Sequence, residues 1–302
     1  MSTKATFSWS LQAGRIVRVA KFTFTPLAII SLTYVMWLTR NDISEILASA
    51  NPGLLSISVV AWAASHLMIP RVSAWLLGAM GETVTWRQAL SSHAQRLPAK
   101  YLPGGIWHTV GRAADLSSLS VPNGTIARFV ALEQILALGV TATFGAAVIW
   151  ITQSGALHPM VCLALAVGGI TLILASPMLL SRVGTPVTVN WPIYCSSVLG
   201  TVLFWCITSV SFISYINAFA ASTWHASSLQ TAGIYLLSWS AGYVAVFAPQ
   251  GIGVFEGVAA ALAKETAPAW TTVALVAGFR VIVLGGDFFA WIISLSFRHS
   301  RG

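Results

Sequence analysis

Two short stretches of the chain concentrate the residues able to bind a charged group. In the first, Arg96, Lys100, His108 and Arg112 surround a break made by Pro103, Gly104 and Gly105. Proline removes a backbone donor and glycine lets the chain reverse, so a helix is expected to stop there and restart after Gly105. A restarting helix presents unpaired N–H groups and the positive end of its dipole, which bind anions and phosphate above all. Lys100 and Tyr101 stand just before the break, and His108 and Arg112 are four apart on one helical face. Charge-assisted donors of this kind make a phosphate cradle. The alternative is an amphipathic loop whose cations only touch lipid headgroups. In the second stretch, Pro249, Gly251 and Gly253 precede Glu256 and Gly257. Glu256 would lie one turn inside an apolar segment, where a carboxylate is costly unless paired, so it is a functional candidate. Its bland alternative is a structural ion pair with an arginine. Gly253 and Gly257 have the spacing suited to close helix contact. The glycines lack the spacing and the preceding strand of a dinucleotide fingerprint.

The elements that must position these residues are membrane helices. Of 302 residues, 8% are charged and 56% hydrophobic, and the mean hydropathy is +0.79. A soluble domain carries about 25% charged residues, so a water-solvated globule is excluded. The net charge of +8 invites a nucleic-acid reading, but the Lys and Arg are scattered singly between apolar runs and form no basic face. Six full spans are expected, at 22–39, 54–79, 125–152, 159–181, 193–220 and 270–297. Uninterrupted apolarity makes them helices, since barrel strands would alternate. Two less regular segments, 86–117 and 233–263, contain the breaks. Cys162, Cys195 and Cys206 suggest neither a disulfide framework nor a zinc site. No nucleophile elbow, P-loop or metal-binding motif is present, so no cofactor, no metal and no enzymatic activity is expected. Glu133, Arg280 and Asp287, with Arg71, are further ionisable residues inside spans. Arg280 and Asp287, seven apart, face one side. Arg128 is expected to snorkel outward. Trp37, Trp150, Trp191, Trp224 and Trp270 sit where an interfacial belt is expected.

If both irregular segments dip into the bilayer and return, the spans alternate and the cations sort. Lys4, Arg15, Arg18, Lys21, Arg87, Arg96, Lys100, Arg112, Arg182, Arg298 and Arg301 fall on one side, against Arg40 and Lys264 on the other. The positive-inside rule then places both termini in the cytoplasm. Pro103-Gly104-Gly105-Ile106 also matches Pro249-Gln250-Gly251-Ile252, and Gly111 matches Gly257 in the same register. The halves 1–155 and 156–302 of one transmembrane domain each read as span, span, broken segment, span. Three crossings per half invert the second copy, the plan of many transporters. A chance match within Gly-rich sequence is the alternative. The expected architecture is all-α and polytopic: six spans plus two re-entrant segments in an inverted repeat.

Tyr101 to Gly105, Gly111 and Arg112, Glu133, the Pro249-to-Glu256 stretch and Arg280 together resemble one family. It is the flippase-like transmembrane domain family of lysylphosphatidylglycerol synthases, which also occurs as stand-alone proteins. The resemblance covers most of the chain. It implies a bacterial inner-membrane protein that moves an anionic phospholipid or a polyprenyl-phosphate-linked headgroup between leaflets, in envelope or polysaccharide biogenesis. Two positions depart from the family pattern: Gln134 follows Glu133 where arginine is frequent, and Gln250 interrupts Pro-Gly-Gly. The chain ends at Gly302 with no soluble synthase domain, so aminoacyl transfer is not expected. On this reading the substrate-binding residues are Lys100, Tyr101, Pro103, Gly104, Gly105, His108, Arg112, Glu133, Pro249, Gly251, Gly253, Glu256 and Arg280. The partners are the lipid, the membrane and, among proteins, envelope glycosyltransferases. The rival readings are a membrane-embedded transferase for a lipid-linked substrate and a non-transporting scaffold for glycosyltransferases.

Overall fold

The computed structural model describes residues 50–101, 106–153, 155–183, 186–219 and 224–296. The expected span 22–39, the N-terminal cations, Arg40, Trp37, Arg298 and Arg301 lie outside the described residues, and so do Pro103, Gly104 and Gly105. Among the described residues the chain is all helix, with no strand. The helices are α1 (Pro52–Ala79), α2 (Trp86–Arg96), α3 (Trp107–Ser118), α4 (Asn123–Ile151), α5 (Pro159–Ser181), α6 (Trp191–Phe219), α7 (Ser228–Val244), α8 (Val254–Leu262) and α9 (Ala269–Ser296). Five of them, α1, α4, α5, α6 and α9, are long and apolar enough to cross a membrane. Each coincides with an expected span to within two residues.

Local chemistry sets the helix ends. Asn51 accepts from the Gly53 and Leu54 N–H groups, with Pro52 at the first helical position of α1, where its missing donor costs nothing. Thr85 and Gln88 form a capping box on α2. His158 caps α5, again with proline next, and Ser227 caps α7. The irregular segments each contain two helices with a 3-10 turn between them. The first is α2, a 3-10 turn (Leu97–Tyr101) and α3; the second is α7, a 3-10 turn (Pro249–Gly251) and α8. The second begins at Ser228, five residues earlier than the apolar pattern suggested, because Ser227 is the cap. At 11 and 12 residues, α2 and α3 are about 16 and 18 Å long, well short of the ~30 Å hydrocarbon core.

The α1–α6 pair is the most extensive helix contact among the described residues. Ser58 Oγ donates to the Ser211 carbonyl at 2.8 Å, and Ser211 Oγ returns a bond to the Ser58 carbonyl at 2.8 Å. Small residues bring the backbones together, as expected where lipid offers no hydrophobic drive between helices. A Cβ on Gly200 would stand 2.8 Å from the Trp75 ring and 2.9 Å from Val72 Cγ2. One on Gly169 would stand 2.6 Å from the Gly139 carbonyl, joining α5 to α4. In contrast, no described atom lies within 4 Å of a Cβ built on Gly257. Close helix contacts fall at Gly200 and Gly169 and not at Gly257. An aromatic cluster fills the space between α6, α7 and α9: Phe212 stacks on Tyr235 at 4.9 Å and meets Phe279 edge-on at 5.0 Å.

The outer faces remain apolar. Met160, Val167, Leu174 and Leu179 on α5 and Val281, Phe288 and Phe289 on α9 are exposed, a patch too large for water and suited to lipid tails. Trp150, Trp191 and Trp270 are exposed near helix ends. Trp224 is instead buried and donates to Thr231 Oγ1 at 2.9 Å. Arg128 does not snorkel. It is buried and donates through Nε and Nη2 to the Val183 carbonyl, beyond the C-terminal end of α5, where a cation meets the negative end of the dipole. The three cysteines are free thiols, Cys162 buried and the other two exposed.

Gly200→Leu forces Trp75 or Val72 aside and should destabilise the protein by about 1–3 kcal/mol. Gly124→Ala, where no described neighbour lies within 4 Å, should leave stability within about 0.5 kcal/mol. Thermal unfolding of the two variants in detergent checks the difference.

Candidate functional site

The two 3-10 turns meet. Gln250, at the tip of the second turn, donates through Nε2 to the Lys100 carbonyl of the first at 2.6 Å. Its backbone is left-handed (φ 53°), followed by Gly251 at 66° and Gly253 at 84°. A non-glycine residue held there is strained and persists only where its surroundings over-determine it; the bond to Lys100 is one such constraint. Gly251 must be glycine on a second count. A Cβ there would stand 2.8–3.0 Å from the Gly242 backbone, so the turn lies flat on α7.

Four ion pairs anchor the broken segments, and they differ in kind. Arg96 pairs with Asp115 at 2.6 Å and ties α2 to α3. Asp115 lies outside the five long apolar helices. Burial alone would raise its carboxyl, but hydrogen bonds from Arg96 and Ser92 outweigh it and hold the group below its ordinary value. Its stabilising contribution is therefore present at neutral pH and lost as pH falls through the lowered value. Arg112 on α3 donates to both oxygens of Glu133 on α4 at 2.8 and 2.9 Å and to Ser73 at 2.9 Å. Both partners are buried, with side chains 9% and 10% exposed, so this pair is interior structure.

The other two pairs are asymmetric. Lys100 bonds Asp287 at 2.6 Å and Arg280 bonds Glu256 at 2.7 Å. Both carboxylates are 1% exposed, while the cations are 32% and 31% exposed. Each pair presents its positive partner and hides the negative one. Glu256 also accepts from the Gly253 N–H at 2.7 Å, so α8 takes its own third-position carboxylate as the counter-charge of its N-terminus. The anion-binding feature expected after Gly251 is already partly satisfied from within. Asp287 is saturated. Its Oδ1 accepts from Trp62 Nε1 and His66 Nε2 at 2.8 and 2.9 Å, and its Oδ2 from Lys100 and the Tyr101 hydroxyl at 2.6 and 2.8 Å.

A cavity of about 640 Å³ opens beside the two 3-10 turns, with Lys100 of the first and Gln250 and Gly251 of the second in its wall. Lys100 and Arg280 supply its positive charge; Trp62, Tyr235, Trp239 and Phe255 supply much of its aromatic wall. Gln250, Gly251 and Ile106 line it as well. Two cations on an otherwise apolar wall suit a guest with an anionic head and a greasy body.

Of the expected site residues, Lys100, Gly251 and Arg280 line this cavity; Tyr101 and Glu256 sit directly behind its cations. Arg112 and Glu133 pair with each other away from it, and His108 contacts His93. Gly253 shapes the N-terminus of α8, and Pro249 opens the second turn. Asp287 was recognisable as an intramembrane acid but not as the partner of Lys100, 187 residues away. His66 and His93 carried a weaker signal. His66 is an ionisable residue within an apolar span, four residues from Trp62 and on the same face. No protein-family model matches the chain, and no curated protein is significantly similar to it.

Glu133→Gln alone strands a buried guanidinium and should cost about 3–5 kcal/mol, whereas Arg112→Met combined with Glu133→Leu should recover most of that loss. Thermal melts of the single and double variants in one detergent test the interior assignment of this pair.

Proposed function

We propose that the chain moves an anionic lipid, a phospholipid or a polyprenyl-phosphate-linked headgroup, between the leaflets of a bacterial inner membrane. The observation that carries this reading is the cavity beside the two 3-10 turns, with its two presented cations, hidden counter-ions and aromatic wall. A lone anion entering a low-dielectric site needs compensating charge. Lys100 and Arg280 supply it on the headgroup side, while Trp62, Tyr235 and Trp239 offer surface to the chain-bearing part.

The inverted-repeat plan, with halves 1–155 and 156–302, is part of the proposal. Matching α1 with α6, α2 with α7, α3 with α8 and α4 with α9 maps the helix contacts of one half onto those of the other. Thus α1–α2 answers α6–α7, α3–α4 answers α8–α9, α4–α7 answers α9–α2, and α4–α6 answers α9–α1. The ion pairs follow the same correspondence with their signs exchanged. Arg112 and Glu133 join α3 to α4, and Glu256 and Arg280 join α8 to α9. On this plan 22–39 supplies the sixth span, the breaks dip from opposite leaflets, both termini are cytoplasmic, and envelope glycosyltransferases are the protein partners. Membership in the flippase-like family belongs to the same proposal and is supported by the motifs around Lys100, Arg112, Glu133, Glu256 and Arg280. Two inverted halves around a shared site permit alternating access by rocking.

Liposomes containing the full chain and labelled phosphatidylglycerol, polyprenyl phosphate or phosphatidylcholine test the reading through protection from a membrane-impermeant reagent. Anionic lipids should move and phosphatidylcholine should not. Lys100→Ala and Arg280→Ala should each lower transport roughly ten- to a hundredfold, the worth of a charge-assisted hydrogen bond. Equal rates for wild type and both variants on every lipid would remove the site. Separately, cysteines introduced one at a time over 98–112 and 245–258, with Cys162, Cys195 and Cys206 replaced, should label from opposite sides with impermeant maleimides if the segments dip.

A further inference from the structure

Three of the six histidines form a row that anion binding by itself leaves unexplained. His66 on α1 donates to Asp287 and lies 3.0 Å from His93 Nε2 through its Nδ1. His93 on α2 meets the His108 ring on α3 edge-on, with centroids 5.2 Å apart. Asp287 fixes the polarity of the row. As a carboxylate it only accepts, so His66 Nε2 carries hydrogen, and in the neutral ring His66 Nδ1 is then the acceptor. His93 Nε2 must then carry hydrogen as well, which leaves His93 Nδ1 as a bare lone pair. That atom is buried without a hydrogen-bond partner among the described residues, and so is Nε2 of the adjacent His108. Buried polar atoms without partners are uncommon. Two of them on neighbouring rings stand at the open end of a chain of bonds running to Asp287, where the His93 Nδ1 lone pair can accept a proton.

We propose that this row is a proton relay that neutralises Asp287 when an anionic headgroup takes Lys100, so that headgroup and proton occupy the protein together. The inference rests on the anion-site reading above and adds the coupling ion to it. The step balances. A proton arrives at His93 Nδ1 by way of His108. The His93 Nε2 proton passes to His66 Nδ1, and the His66 Nε2 proton passes to Asp287 Oδ1. Each ring gains one proton, gives one up and ends in its other neutral tautomer, and the protein gains one proton in all. Asp287 no longer supplies a counter-charge to the Lys100 ammonium, and the headgroup phosphate replaces it. A singly charged phosphate and a proton enter with no net charge, which avoids the cost of burying a lone anion. Release runs the same transfers backward.

The surrounding charges leave this the switchable pair. Tyr101 and Lys100 face Asp287 from the first turn. Arg112 and Lys100 face His93, and Arg112 and Glu133 lie beside His108. Arg112 is held by Glu133, and Arg280, on the same helix as Asp287, is held by Glu256. Among the described residues, Asp287, the partner of Lys100, is the paired carboxylate that a histidine hydrogen-bonds.

The test uses the full chain in micelles of a neutral detergent, mixed in weakly buffered solution at pH 7 with phosphatidylglycerol, whose phosphodiester does not titrate there. A pH indicator follows proton uptake and Trp fluorescence follows binding. Wild type should take up about one proton per lipid bound. Asp287→Asn should abolish the uptake, and His93→Phe should slow it about tenfold or more relative to binding. Binding by wild type without proton uptake overturns the relay and leaves the anion site standing. Failure to bind the lipid at all overturns both. Uptake by His93→Phe as fast as by wild type overturns the route through the histidines.

Discussion

Everything at the centre of this protein depends on two carboxylates buried beneath two cations. Asp287 and Glu256 sit 1% exposed in the interior, and each is tolerable there only because a cation and further donors surround it. Trp62, His66, Lys100 and Tyr101 satisfy Asp287; Arg280 and the Gly253 amide satisfy Glu256. These demands draw the first turn to α9 and hold the start of α8 against the same helix. The first 3-10 turn and the start of α8 are thereby pinned, as irregular backbone at membrane depth requires.

The same arrangement decides which charge the cavity sees. An ion pair lying flat on a wall would offer both signs and attract nothing in particular. Here the acid is sealed behind the base, so Lys100 and Arg280 set the potential of the cavity although each is formally neutralised. The buried Arg112–Glu133 pair is the contrast: with both members hidden, its contribution is to hold α3 on α4. Similar residue types thus have different roles according to which member of the pair reaches open space.

Gln250 shows how a departure from a glycine-rich pattern acquires a purpose. Its left-handed backbone would suit glycine better, yet glycine has no side chain to bond the Lys100 carbonyl. The strain at this residue is offset by a tie between two turns 150 residues apart. That tie brings the two 3-10 turns to a common wall.

The five described long helices, and the interruption of both irregular segments, were legible in the sequence, because lipid imposes apolar length and Pro and Gly interrupt it whatever the neighbours are. Glu256, Arg280 and Asp287 were legible as unusual because charge in an apolar run is costly, and Lys100 by its place just before the expected break. Their pairing was not. Lys100 with Asp287, and His66 with His93, join residues far apart in the chain, and no local period records which faces of α1, α2 and α9 turn toward each other. Nor could spacing reveal that Arg112 is buried with Glu133 while Arg280 borders a cavity, since both are arginines near a break with a glutamate within reach. Side-chain exposure is a property of the packed bundle, so the tertiary structure alone decided which charges are hidden and which are offered.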